Sequence, residues 1–278
     1  MKTSAVILLL MLFIGFAAIA DPLNNPAQNG KLKAGKMGRV VFEDNFDQAG
    51  RIPDTAKWSL CRRVKGDLWA NYFSQSYDQA YVKNGKLILK AEKVRGIYKT
   101  GGVQTKGKVE FTYGKVEVRA KFVTAKGGWP AIWMIPQPND GGVIDGEIDI
   151  MEQLNNDSIV YQTIHSHYID ALKHNDTVRS ATESYNVNEF NTYAVCWYPE
   201  KVCFYVNGKM TFSYPNLHLA NEATMRQWPY NKPFYLILNY ALGGKGTWPG
   251  VITDSQLPAH MEVDWIKVTE LKNSRRSK

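Results

Sequence analysis

The 278-residue chain is 44% apolar and 12% aromatic, enough for one large core, and β-sandwiches of this size commonly form a single domain. Its 34 Lys and Arg against 26 Asp and Glu give a net charge of +8, but the basic residues are scattered along strand-like segments and at the two ends. Without a basic stripe interleaved with stacking aromatics, no nucleic-acid partner is expected and the surplus reads as a solvation feature.

At the start, Lys2, an apolar run from Ala5 to Ile19 and the small-residue site Ala18-Ile19-Ala20 before Asp21 have the anatomy of a secretory signal peptide over residues 1–20. The run is shorter than the ~20 residues a membrane span needs. An exported protein, periplasmic or extracellular and without stable membrane insertion, is therefore expected. Residues 21–38 are rich in Asn, Pro, Gly and Lys without periodicity and read as a flexible lead-in. The folded domain is expected over 39–272, followed by a basic tail over 273–278.

Within that domain, Ala80 to Val82 and Lys86 to Lys90 flank Asn84-Gly85, a strong hairpin signal. Tyr113 to Phe122 alternates, with Val116, Val118, Ala120 and Phe122 on one face against Lys115, Glu117, Arg119 and Lys121, so it reads as a half-buried strand. Gly127-Gly128-Trp129-Pro130 reads as a loop. Cys196 and Cys203 flank a turn around Pro199-Glu200, either as a cross-strand disulfide or as two buried thiols, and Cys61 is left over. Val202 to Val206 and Lys209 to Ser213 form a second hairpin around Asn207-Gly208. Helix is limited to a turn near Asn188-Phe190 or Asn221-Arg226. The pattern predicts an all-β chain, a β-jelly-roll sandwich of two antiparallel sheets with a concave substrate cleft.

The chemically unusual segment is Asp145-Gly146-Glu147-Ile148-Asp149-Ile150-Met151-Glu152-Gln153, where acids alternate with large apolar residues. Charged side chains in so apolar a strand must face something that wants them. On a regular strand Glu147 and Asp149 share a face and Glu152 points the other way. A β-bulge that counts Ile150 and Met151 as one position brings Glu152 round to join them. Three carboxyls in a row raise at least one pKa and suit retaining glycoside hydrolysis, with one carboxylate as nucleophile and a protonated partner about 5–5.5 Å away. Four effective strand steps separate the two glutamates by roughly 13 Å of backbone, so their side chains must lean together over Asp149. Two other readings of the spacing are an exposed acidic edge strand and a calcium site.

The run Glu147-Ile148-Asp149-Ile150-Met151-Glu152 resembles the bulged catalytic motif of glycoside hydrolase family 16, the group of laminarinases, agarases, carrageenases and endo-β-galactosidases. The likeness extends over roughly residues 40 to 270, through Val41-Phe42-Glu43-Asp44-Asn45-Phe46, Tyr113 to Ala120, Gly128 to Met134, Phe190 to Trp197, Leu238 to Gly244 and Met261 to Val268. The resemblance implies that Glu147 is the nucleophile, Glu152 the general acid and then base, and Asp149 the assisting carboxylate. It implies substrate contacts for Trp129, Trp133, His165 and Trp248, since the C–H face of a sugar ring lies well on an indole. It also implies a reaction that requires no cofactor, a structural calcium held by Glu43, Gly85 and Asp264, and a monomer.

One departure bears on substrate. Where family laminarinases carry a Trp-Gly-Asn-Asn-Glu-containing run, this chain has Cys61-Arg62-Arg63-Val64-Lys65-Gly66-Asp67-Leu68-Trp69-Ala70-Asn71-Tyr72. Trp129 to Met134 followed by Glu152 to Asn156 is similar to gut-bacterial members that cut β-1,4-galactosyl bonds in host O-glycans and poly-N-acetyllactosamine. That substrate is expected ahead of an endo-β-1,3(4)-glucanase activity. A non-catalytic carbohydrate-binding jelly roll is the alternative of another class, but it gains nothing from the carboxylate row.

Overall fold

The computed structural model describes residues 36–272; the expected signal peptide, most of the lead-in and the tail lie outside them. In chain order the strands are β1 (Met37–Asp44), β2 (Ser59–Leu60), β3 (Ala80–Lys83), β4 (Lys86–Val94), β5 (Ile97–Thr100), β6 (Gly102–Gln104), β7 (Gly114–Val123) and β8 (Gly128–Pro136). They continue with β9 (Glu147–Glu152), β10 (Ile159–His165), β11 (Ser180–Ser184), β12 (Asn191–Trp197), β13 (Lys201–Val206), β14 (Lys209–Pro215), β15 (Phe234–Leu242) and β16 (Ala259–Leu271). One sheet runs β14-β13-β12-β7-β16-β4-β3, with β1 added on β16 and β5 on β4. The other runs β11-β10-β9-β8-β15-β6-β2. All strand pairings within both are antiparallel, as the alternating sequence requires.

The core lies between the sheets. Val116, Val118, Ala120 and Phe122 of β7 point into it against Ile132, Met134, Ile148, Ile164, Leu236 and Leu238 of the second sheet. The other face of β7 is charged and paired: Lys115 with Glu117 at 2.6 Å, Lys121 with Glu262 at 3.4 Å and Arg119 with Asp264. Both Asn-Gly hairpins form as expected. Asn84 and Gly85 have φ of 51° and 66°, and Asn207 and Gly208 have 50° and 79°, the left-handed pair that matches strand twist.

The structure moves some boundaries. β1 begins at Met37, paired with Leu271, so the folded domain takes in the last residues of the expected lead-in. One turn of α-helix forms at Glu222–Met225, while Asn188-Phe190 is a plain turn. Among the described residues no helix is long and apolar enough to cross a membrane. Cys196 and Cys203 are direct register partners and, like Cys61, are buried free thiols.

Candidate active site

β9 is an interior strand of the second sheet, fixed on both sides. Ile148 pairs with Met134 of β8 and Ile164 of β10, and Asp149 pairs with Trp133 and Thr163. The register then slips by one, so that Met151 opposite Ile132 and Glu152 opposite Ala131 and Tyr161 follow an extra residue, Ile150. Ile150 and Met151 are both fully buried, as the expected bulge requires. A bulged residue loses its ladder partner, and here the Ile150 carbonyl instead accepts the Gln162 side-chain amide at 2.7 Å. The Gln162 amide oxygen in turn accepts the Thr211 hydroxyl at 2.6 Å, which ties the bulge across to the first sheet.

Because paired residues share a face, Glu147, Asp149 and Glu152 line one face of the sheet, turned away from the core. His165 pairs with Glu147 across β10 and joins them. Ligand atoms of Glu147, Asp149 and His165 all lie within 4.8 Å of one another. His165 Nε2 stands 3.2 Å from Asp149 Oδ2, and Nδ1 stands 3.1 Å from both oxygens of Asp170. With both ring nitrogens engaged by carboxylates, the group is an ion-paired cluster rather than a free metal-ligand set.

Burial, and then the charge of Asp149, push the Glu152 carboxyl up to about 8, against the Trp129 indole N–H, which donates to Oε1 at 2.8 Å. The same two causes hold Glu147 well above the usual carboxylate range, with the His165 charge pulling the other way. The cluster therefore shares protons near neutral pH.

The aromatics divide into two groups. Trp133 is buried against the sheet, donating its indole N–H to Asn239 Oδ1 at 2.7 Å, and Trp69 stands edge-on to it at 4.6 Å. With Cys61, Ala70, Phe73, Ile135, Tyr235 and Ile237 these form a small apolar cluster by which the 61–73 segment covers β8 and β15 beside the carboxyls. On the other side of the row, Trp129, Trp248 and Tyr161 form an edge-to-face chain with centroids 5.8 and 5.0 Å apart, and Trp248 is 52% exposed. Trp129 lies inside β8, not in a loop. Pro130 is tolerated there because the sheet uses its carbonyl, which accepts the Gln153 N–H at 3.0 Å.

Gly102 shows how tightly the wall is seated. An added Cβ there would meet the Phe73 ring at 2.9 Å, Cys61 Sγ at 3.0 Å and Asn239 Cβ at 3.1 Å. Gly102→Ala is expected to lower stability by about 1–3 kcal/mol through overpacking. Urea midpoints of the two proteins measure this, and an unchanged midpoint would mean that the wall yields freely.

Glu43, Gly85 and Asp264 have other partners. The Glu43 carbonyl accepts Lys57 Nζ at 2.8 Å, its carboxylate faces Lys267 Nζ at 3.7 Å, and the Asp264 carboxylate accepts the Arg119 guanidinium. Gly85 turns its hairpin beside Asp47. With three basic side chains already on these donors, the set as it stands does not fit a calcium ion.

Sequence reasoning missed Tyr161, Asn239, Gln162 and Asp170, and it singled out residues 61–72 as bearing on substrate without placing them against β8 and β15. Tyr161 was readable, since it alternates with Thr163 and His165 on one strand face. The others depend on contacts remote in sequence or on an irregular turn.

Residues 69–267 match the family model described as Glycosyl hydrolases family 16. A keratan-sulfate endo-1,4-beta-galactosidase of Sphingobacterium multivorum is 39% identical over 84% of this chain, which spans 55% of the length of that relative. A beta-glucanase of Rhodothermus marinus is 33% identical, over 94% of this chain and 92% of its own length. Among solved structures, one from work on endo-acting O-glycanases of the human gut microbiota that initiate mucin breakdown has a TM-score of 0.76 and 36% identity, covering 84% of this chain and all of its own.

Proposed function

Since this chain belongs to glycosyl hydrolases family 16 and is an endo-acting glycoside hydrolase, we propose that it cuts internal β-1,4-galactosyl bonds of host-type O-glycans and poly-N-acetyllactosamine, with retention of configuration. The observation that carries the chemistry is the bulge, which sets Glu147, Asp149 and Glu152 on one open face beside a row of indoles. Glu147, as carboxylate, attacks the anomeric carbon while Glu152 gives its proton to the departing oxygen, leaving a glycosyl ester on Glu147. Glu152, now a carboxylate, takes a proton from water as that water attacks the same carbon and frees Glu147. Two displacements at one carbon return the β configuration. Trp129 occupies one oxygen of Glu152 and leaves the other for the transferred proton.

The galactosyl preference is supported by the two relatives whose names concern keratan sulfate and mucin O-glycans. An endo-β-1,3(4)-glucanase is the second reading, favoured by the beta-glucanase that matches nearly end to end. We place the enzyme outside the cytoplasm on the signal-peptide pattern of residues 1–20. Product analysis on keratan, gastric mucin, laminarin, barley β-glucan and agarose separates the readings. Oligosaccharides from keratan and mucin are expected, and release from laminarin alone would transfer the assignment to the glucanase.

A further inference from the structure

His165 and Asp170, five residues apart, are brought face to face by a single π turn, His167–Ala171. Ser166 opens it by accepting the Ile169 N–H on Oγ at 3.3 Å. Backbone bonds from Asp170 to Ser166 at 2.8 Å and from Leu172 to His167 at 3.0 Å close it. Tyr168 and Ile169 are buried in the main core, so the turn is anchored from beneath. It presents the Asp170 carboxylate to His165 Nδ1 through both oxygens, and Oδ2 also accepts the Ser166 N–H at 3.0 Å. The His165 carbonyl accepts the buried Tyr230 hydroxyl at 2.5 Å, which fixes the backbone behind the ring.

A neutral imidazole has one N–H and one lone pair, yet here each ring nitrogen faces carboxylate oxygens. Either neutral tautomer would set a lone pair against another lone pair. A ring carrying two protons donates to both sides. We infer that Asp170 is a positioning residue that clamps His165 as a doubly protonated cation against Asp149, and that this fixed charge keeps the negative end of the carboxyl row at Glu147 and the proton at Glu152. The inference rests on the reading of Glu147, Asp149 and Glu152 as the reacting carboxyls.

The charged groups facing the pair are few. Asp149 and Glu147 face the ring from β9, and Arg179 acts on Asp170. Arg226 bonds to His167 Nδ1 at 3.0 Å. Burial disfavours the His165 cation, but the bonds to Asp149 and Asp170 and the neighbouring negative charges outweigh it and hold its pKa well above the ordinary histidine value. Burial likewise opposes the Asp170 anion, and its bonds to His165 and Ser166 hold it below the ordinary range.

The test is a pH titration of the intact protein with ring-15N histidine, the His165 signals being those lost in His165→Gln among the five histidines. In wild type both His165 nitrogens are expected to stay protonated at least one pH unit above the ordinary midpoint of about 6.5. A wild-type ring that titrates near 6.5 overturns the clamp without any variant being needed. In Asp170→Asn, where an uncharged amide takes the same place, the midpoint should fall by about one unit or more. kcat should fall about 10- to 100-fold with KM within about twofold, because Asp170 orients a group without touching substrate. An unmoved midpoint, or a lowered midpoint with wild-type kcat, overturns the positioning role. The titration does not depend on turnover, so it fails or succeeds apart from the roles of Glu147 and Glu152.

Discussion

Glu147→Ala and Glu152→Ala are each expected to lower turnover of a natural glycan by about 10⁴-fold or more, the scale on which losing one member of a covalent catalytic unit is felt. Glu147→Ala removes a buried carboxyl from a like-charge row, so its melting temperature should hold or rise, whereas Glu152→Ala also leaves the Trp129 indole N–H without its acceptor and should gain less. The two losses are distinguishable. An aryl glycoside has a leaving group that needs no proton, so Glu152→Ala should still load Glu147 on it, whereas Glu147→Ala should not. With azide added, Glu147→Ala should give the α-glycosyl azide by one displacement, the C–N bond forming as the bond to the aryl oxygen breaks. Glu152→Ala should give the β-azide through the Glu147 ester. The wild-type product should first appear as the β anomer in proton NMR. Wild-type rates in either variant, or an initial α product, would remove the mechanism.

The pH dependence should carry the second large effect. Activity needs Glu147 ionised and Glu152 protonated, so kcat/KM should be bell-shaped, with its alkaline limb near the value of about 8 to which Glu152 is raised. The raise comes first from burial and then from the Asp149 charge. Asp149→Asn keeps the burial and removes the charge, so the alkaline limb should move to lower pH by about one unit, costing roughly tenfold in activity per unit above it. A limb that stays or rises would show that Asp149 does not hold the proton on Glu152. The same shift has a stability counterpart. Glu152 binds its proton more tightly folded than unfolded, so its contribution to stability is greatest below the ordinary carboxyl value near 4.3 and is lost as pH rises toward about 8. Glu152→Gln should flatten that decline, as measured by urea midpoints at pH 5 and pH 8.

How far the sequence foretold this site depends on the kind of signal. The bulge was legible because two acids five positions apart can share a strand face only if one residue goes uncounted, and Ile150 is the residue that the register skips. The hairpins at Asn84-Gly85 and Asn207-Gly208 were legible because Asn-Gly takes positive φ twice in succession at little cost, whereas Arg95-Gly96, which turns β4 into β5 with φ of 50° and 81°, carries no such signal at its first residue. Trp129 was misread because Gly-Gly before it and Pro after it are ordinary turn punctuation, and nothing local says that the sheet needs only the carbonyl of Pro130. The 61–73 wall has no period at all. Its placement follows from Phe73 and Cys61 meeting residues on β8 and β15, contacts invisible to local pattern. Asp170 was hidden for a related reason, because a five-residue π turn has neither helical nor strand spacing.

The slipped register also bears on descent. Removing the codon for Met151 would leave Glu-Ile-Asp-Ile-Glu, a run that alternates without interruption, with all three acids again on one side of the pleat. One of two buried side chains would be lost from the core, and the Ile150 carbonyl would rejoin the ladder and no longer need Gln162. Both lengths of the run therefore keep the third acid out of the interior. In this chain the longer run is accommodated because Gln162 satisfies the carbonyl that the extra residue leaves outside the ladder.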